Sequence, residues 1–220
     1  MMFLNEKDRN FLIQRFREEL VEPVRIILFT QNINCEYCPE TEQLLRELAE
    51  TSQKIQLEVK NFALDKLEAQ KYKIDKVPAI LVGNERIRYF GIPAGYEFAA
   101  LIEDIVEVSR NSSFLSSSSQ ERIRSLKVPV NIKVFVTPTC PYCPRMVRYA
   151  HSAALLNENI YAEMIEATEF PELASQYSVY GVPKTIINEK IEIEGAVPED
   201  FFVNELIRAA QENGKNNLII

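Results

Sequence analysis

The apolar positions change period early in the chain. From Asn5 to Leu20 the residues Phe11, Leu12, Phe16 and Leu20 recur at helical spacing, and Asn5 stands where an N-cap belongs. After Pro23 that spacing collapses into the continuous run Ile26-Ile27-Leu28-Phe29, which predicts a strand buried on both faces. Helical spacing returns through Leu44, Leu45 and Leu48, and Ile55–Val59 alternates apolar with polar like a second strand. A helix near Leu64–Tyr72 follows, then strands Ala79–Val82 and Arg86–Phe90 joined at Gly83-Asn84, then a helix over Tyr96–Val108. The second half gives the same order: strand Ile132–Val136, helix Arg145–Leu156, strand Ile160–Ile165, helix Pro171–Tyr177, strands Thr185–Ile187 and Lys190–Glu194, and helix Glu199–Gln211. Between the halves, a serine-rich stretch predicts a connector, with Ser119 capping a short helix over Gln120–Leu126.

The two halves also match residue by residue. Cys140 lies 105 residues after Cys35, and the same offset relates Cys38 to Cys143, Tyr72 to Tyr177, Val77 to Val182 and Pro78 to Pro183. In each half a Cys-x-x-Cys is followed, 43 residues after its first cysteine, by the proline of a Val-Pro. One such motif means little, whereas two in register identify a tandem duplication. The expected fold class is therefore α/β: two tandem units, 1–111 and 120–220, joined by residues 112–119, each a mixed β-sheet flanked by helices.

Composition narrows the function. A chain of 220 residues with 46% hydrophobic and 26% charged residues can bury a core in each half. The net charge of −7 is spread over both halves without a basic patch, so neither nucleic acid nor an anionic membrane is expected as a partner. Charged residues follow Met1-Met2-Phe3-Leu4 too soon for a secretory signal, and no apolar run approaches a membrane span. A cytoplasmic protein is expected.

The four cysteines, all in the two pairs, are too few for a secreted disulfide scaffold and point to redox or metal chemistry. Thiol–disulfide exchange requires a thiolate, which a helix N-terminus favours through its free N–H groups and dipole. Each pair lies between a predicted buried strand and a predicted helix. Pro39 and Pro144 follow the second cysteines, where a first helical turn tolerates proline. Cys35 and Cys140 are read as nucleophiles, and Cys38 and Cys143 as resolving thiols. Zinc is the competing reading. A zinc ribbon brings its two pairs together over about 15–20 residues, but here 101 residues separate Cys38 from Cys140. No metal or organic cofactor is expected, since the cysteines carry the electrons.

Cys140-Pro141-Tyr142-Cys143 matches the glutaredoxin tetrapeptide. With Cys-x-Tyr-Cys in both units, the chain resembles the glutaredoxin-like protein disulfide oxidoreductases of thermophiles, built from two thioredoxin folds. The resemblance implies dithiol–disulfide exchange on protein substrates (reduction, oxidation, and isomerisation through two cysteines held at once). It implies a thioredoxin-reductase-like flavoprotein as reductant. It also implies that Pro78 and Pro183 are cis and lie against the cysteines, with Val77 and Val182 offering backbone groups to a peptide substrate. The chain departs from thioredoxin in lacking Cys-Gly-Pro-Cys, any Trp, and an acidic residue on the strands leading to the cysteines. Glu166, whose counterpart is Asn61, is the candidate for deprotonating Cys143.

Glu36 places a negative charge between the first pair, which should disfavour the Cys35 thiolate and make Cys140/Cys143 the principal site. Tyr37 and Tyr142 are placed to contact substrate or shield sulfur, and Tyr72 and Tyr177 to pack. His151, the only histidine, has Arg46 as its counterpart and is read as a helix packing or surface residue. Two other functions compete: a dedicated electron donor to a peroxidase, like the tandem N-terminal domain of alkyl hydroperoxide reductase, and a non-catalytic peptide binder.

Overall fold

The computed structural model describes residues 3–83 and 85–216, so Asn84 of the Gly83-Asn84 turn and Met1-Met2 lie outside it. The first unit runs α1 (Glu6–Glu19), β1 (Val24–Thr30), α2 (Cys38–Ala49), β2 (Ile55–Asn61), α3 (Lys66–Lys71), β3 (Ala79–Val82), β4 (Ile87–Phe90) and α4 (Tyr96–Arg110). After α5 (Ser117–Arg124), the second runs β5 (Val130–Val136), α6 (Cys143–Leu156), β6 (Ile160–Glu166), α7 (Pro171–Gln176), β7 (Lys184–Ile187), β8 (Ile191–Glu194) and α8 (Glu199–Asn216). Asn5 caps α1 as expected, accepting from the Asp8 N–H at 2.9 Å. Two details differ from the sequence pattern. Ser116, rather than Ser119, caps α5, so the last serines of the connector are helical. Phe11 is not a core residue: Leu12 and Phe16 are buried, while Phe11 is 62% exposed.

All eight strands form one sheet in the order β2-β1-β3-β4-β6-β5-β7-β8. Within each unit the first two strands pair in parallel and the last two add antiparallel. The units join where β4 pairs in parallel with β6, Ile87 opposite Ala162 through Phe90 opposite Ile165. With these directions β1 and β5 run parallel to each other, so the loops after them leave the same edge of the sheet. Alternation splits the core between the sheet's two faces. Ile26 and Leu28 point into a cluster that takes in Leu45 of α2, Ile105 of α4, Val147 of α6 and Phe202 of α8, while Ile27 and Phe29 pack with Tyr72, Phe135 and Ile165. Both clusters draw on both units.

The units also meet through α4 and α6. Asp104 of α4 accepts a hydrogen bond from the Tyr89 hydroxyl and lies 2.5 Å from His151 Nδ1 of α6; His151 Nε2 is 3.2 Å from the Arg88 carbonyl oxygen. Glu107 accepts from Arg148 and from the Ser152 hydroxyl, both at 2.6 Å. His151 is thus a buried, hydrogen-bonded packing residue. Among the described residues, no helix is long and apolar enough to cross a membrane.

Candidate active sites

Each redox pair sits where a buried strand hands over to a helix. Cys38 opens α2 and Cys143 opens α6, each with proline in the first turn and the helix anchored beneath by apolar residues, Leu44, Leu45 and Leu48 in α2 and Met146, Val147 and Ala150 in α6. That burial fixes the helix heads, at about 1.5–3 kcal/mol for each large side chain. Both pairs are closed as disulfides, with Cα–Cα distances of 5.4 Å for Cys35–Cys38 and 5.5 Å for Cys140–Cys143. The second cysteine of each is fully buried, while Cys35 is half-buried and Cys140 is 7% exposed. Among the described residues, no cluster of His, Cys, Asp or Glu is arranged to hold a metal ion.

The sulfur environments differ. At the second site the Cys143 N–H, at the head of α6, donates to Cys140 Sγ at 3.1 Å, and that sulfur lies 3.7 Å from the Val182 carbonyl oxygen. At the first site the Gln31 N–H donates to Cys38 Sγ at 3.4 Å. The Val77–Pro78 and Val182–Pro183 bonds are both cis. Cys35, Val77 and Pro78 line one cleft of about 610 Å³ together with Glu36 and Tyr37. Tyr37 and Tyr142 are exposed beside their sulfurs, at 38% and 64%. Glu36 above all, with smaller contributions from Glu169, Glu166 and Glu40, pushes the Tyr37 hydroxyl up, which marks a cluster of glutamates around the first site.

Glu166 ends β6 and is buried rather than solvated. Its carboxylate accepts from the Thr168 N–H at 3.2 Å, the Thr168 hydroxyl at 2.6 Å and the Glu169 N–H at 2.7 Å. Its counterpart Asn61 holds the matching turn by accepting from Ala63 and Leu64 N–H, both at 3.0 Å. These bonds hold the turn that follows β6, at the position from which a role in deprotonating Cys143 is expected.

Two carboxylates near the sites had escaped the sequence pattern. Glu97, in the first turn of α4, is 1% exposed, with neither oxygen hydrogen-bonded, and burial, then Asp104, pushes its carboxyl up to about 8. It adjoins Tyr96, whose N–H donates to the Pro138 carbonyl at 3.1 Å just ahead of Cys140. Glu169 lines the Cys35 cleft, and its Oε1 accepts from the Ile92 N–H at 2.6 Å. In sequence both are ordinary acidic residues near a helix start. Their enclosure arises from tertiary packing, which for Glu169 is the meeting of the two units.

A buried strand, a disulfide-forming pair at a helix head and a proline turn opposite, present twice, define a thiol–disulfide oxidoreductase. The chain belongs to the thioredoxin domain family, which matches it at residues 24–103 and 130–208. It is similar in structure to a protein disulfide oxidoreductase from Aeropyrum pernix K1, with 32% identity, 96% of each chain covered and a TM-score of 0.91. The NTD_N/C domain of the alkylhydroperoxide reductase AhpF from Enterococcus faecalis gives 28% identity and a TM-score of 0.84, covering 93% of this chain and all of that one. The F component of alkyl hydroperoxide reductase from Staphylococcus epidermidis is 29% identical over 153 residues, 68% of this chain but 27% of that protein, so the chain spans about a quarter of the length of such relatives.

Proposed function

We propose that the chain is a protein disulfide oxidoreductase with two sites, one in each of the units 1–111 and 120–220, and that Cys140/Cys143 is the principal one. The observation that carries the assignment is the backbone N–H of Cys143 pointing at the Cys140 sulfur from the head of α6. In the reduced enzyme such a bond favours the anion. In the reducing direction, the Cys140 thiolate attacks a substrate sulfur; the mixed disulfide forms as the substrate S–S bond breaks, and the departing sulfur takes up a proton. Cys143, having lost its proton, then attacks Cys140 Sγ and expels the second substrate sulfur, which is protonated in turn. Two electrons pass to the substrate and the enzyme is left as the disulfide. Val182 and Pro183, and Val77 and Pro78 at the first site, provide the surface along which an extended substrate segment lies. A thioredoxin-reductase-like flavoprotein restores the dithiols, in a cytoplasm whose redox poise suits cysteines used in this way.

Reduction of insulin disulfides by the dithiothreitol-charged protein tests the reading. The expected result is loss of activity in the Cys35→Ser/Cys140→Ser double variant, with Cys140→Ser alone removing about tenfold more than Cys35→Ser alone. Activity retained in the double variant sinks the mechanism. The similarity to the AhpF proteins supports a second reading, electron donation to a peroxidase. Two intact redox pairs favour the broader exchange activity.

A further inference from the structure

The first site has a wall that the repeat does not supply. Its cleft, which holds Cys35, is closed on one side by Thr168, Glu169, Phe170 and Pro171 of the second unit. A glycine makes room for this intrusion. Gly91 has φ +93° and donates its N–H to the Pro78 carbonyl at 3.0 Å; a Cβ at this position would lie 2.6 Å from Glu166 Cβ and 2.8 Å from Glu169 Oε1. The equivalent turn of the second unit, where the Gly195 N–H donates to the Pro183 carbonyl at 2.8 Å, faces open space, with nothing within 4 Å of a Cβ there. The β4–β6 junction occurs once, and through it the cleft of Cys35 gains Glu169 of the other unit.

Deepening the proposed function, on which this step rests, we infer that Glu169, carried by the second unit, is a positioning residue of the first site that sets how readily Cys35 ionises. Its place is fixed from both ends. The Glu169 N–H is held by Glu166 and its carboxylate by the Ile92 N–H. The charges facing it are mostly of its own sign: Glu36 from the redox loop, Glu40 from α2 and Glu166 from β6, with Asp75 and Lys76 across the cleft. Lys76 is itself paired to Asp75 at 2.7 Å and lies over the Phe90 ring at 3.9 Å. Burial above all, opposed by the Ile92 N–H and reinforced by the three glutamates, pushes the Glu169 carboxyl up to about 7. It therefore gains its charge over the range in which cysteine exchange accelerates. A carboxylate opposes a nearby thiolate, so Glu169 damps the first site as pH rises and leaves the second untouched.

The test is alkylation of the fully reduced, full-length protein by iodoacetamide from pH 5.5 to 9.5, with Cys35 and Cys140 followed separately by peptide mass. Glu169→Gln keeps an acceptor for the Ile92 N–H while removing the charge. It is expected to match the parent below about pH 6 and to move the midpoint of the Cys35 profile down by roughly 0.7 of a pH unit, the effect of a unit charge about 10 Å away at an effective dielectric of about 35. Cys140 is expected to be unchanged. Glu169→Asp keeps the charge and is expected to follow the parent. A Cys35 profile in Glu169→Gln that superimposes on the parent, an equal change at Cys140, or an equal change in Glu169→Asp overturns the inference. Alkylation needs no turnover, so a failure of the insulin assay would strike the proposed function without touching this measurement.

Discussion

Glu97 has neither solvent nor a hydrogen-bond partner for its carboxylate, and its neighbour Asp104 shares its sign. Such a group stays protonated in the fold to about pH 8, whereas in the unfolded chain it ionises near 4.5, the ordinary glutamate value. Between those values the native state binds the extra proton, so stability falls as pH rises through that window and levels off above it. Glu97→Gln should remove this slope. Urea midpoints at pH 5 and pH 9 check it: the variant is expected to match the parent at the lower pH and exceed it at the higher by on the order of a few kcal/mol. An identical pH dependence in both proteins would refute the assignment. Glu97, like Glu169, was invisible in the sequence for one physical reason. Patterning reads charge as solvent-facing, and α4 instead buries Glu97, Asp104 and Glu107, the last two bonded to α6 of the second unit. The cysteines, both valine–proline pairs and the helix cap at Asn5 were legible because their chemistry is local to the motif.

At the scale of elements, α4 and α6 are joined by polar contacts within an apolar surround. Asp104 is the acceptor shared by Tyr89 and His151, so removing it strands two buried groups. Asp104→Leu is expected to cost about 3–5 kcal/mol, measured by urea denaturation, with both redox pairs still able to close as disulfides. Loop geometry is equally demanding at Gly95, which has φ +60° and whose Cβ would lie 2.2 Å from the Pro138 carbonyl oxygen. Gly95→Ala is expected to destabilise by about 1–3 kcal/mol and to slow exchange at Cys140 more than at Cys35, read by site-resolved alkylation. Equal slowing at both cysteines would contradict a local effect. The strands and helices that build these contacts were readable from period alone to within a few residues. The exposed Phe11 was not, because helical spacing reports that a face is apolar without reporting that anything covers it.

For the whole molecule, the pairing of β4 with β6 could not be read from the chain, since strand register between distant segments leaves no local trace. It turns two repeats into one sheet with clusters shared across the junction. Unfolding is accordingly expected as a single transition, with far-ultraviolet dichroism and tyrosine fluorescence giving coincident urea curves; two separated midpoints would show that the units stand independently. The edges left over are guarded. β8 presents exposed Glu192 and Glu194, both paired with the nearly buried Lys184, and β2 carries Gln56, Glu58 and Lys60. Charge along a free strand discourages addition of another chain, which matters here because the two outer strands correspond by repeat to the two that join at the centre.

That arrangement also sets a ruler. Four strand spacings lie between β1 and β5, so their two mouths stand about 19 Å apart on a common rim, at about 4.8 Å per spacing. A stretched polypeptide covers that distance in about six residues. A client tethered at one mouth would thus offer its next cysteine to the other at an effective concentration in the millimolar range, without first diffusing away. Exchange is therefore expected to run fastest on clients whose cysteines lie at least that far apart in sequence.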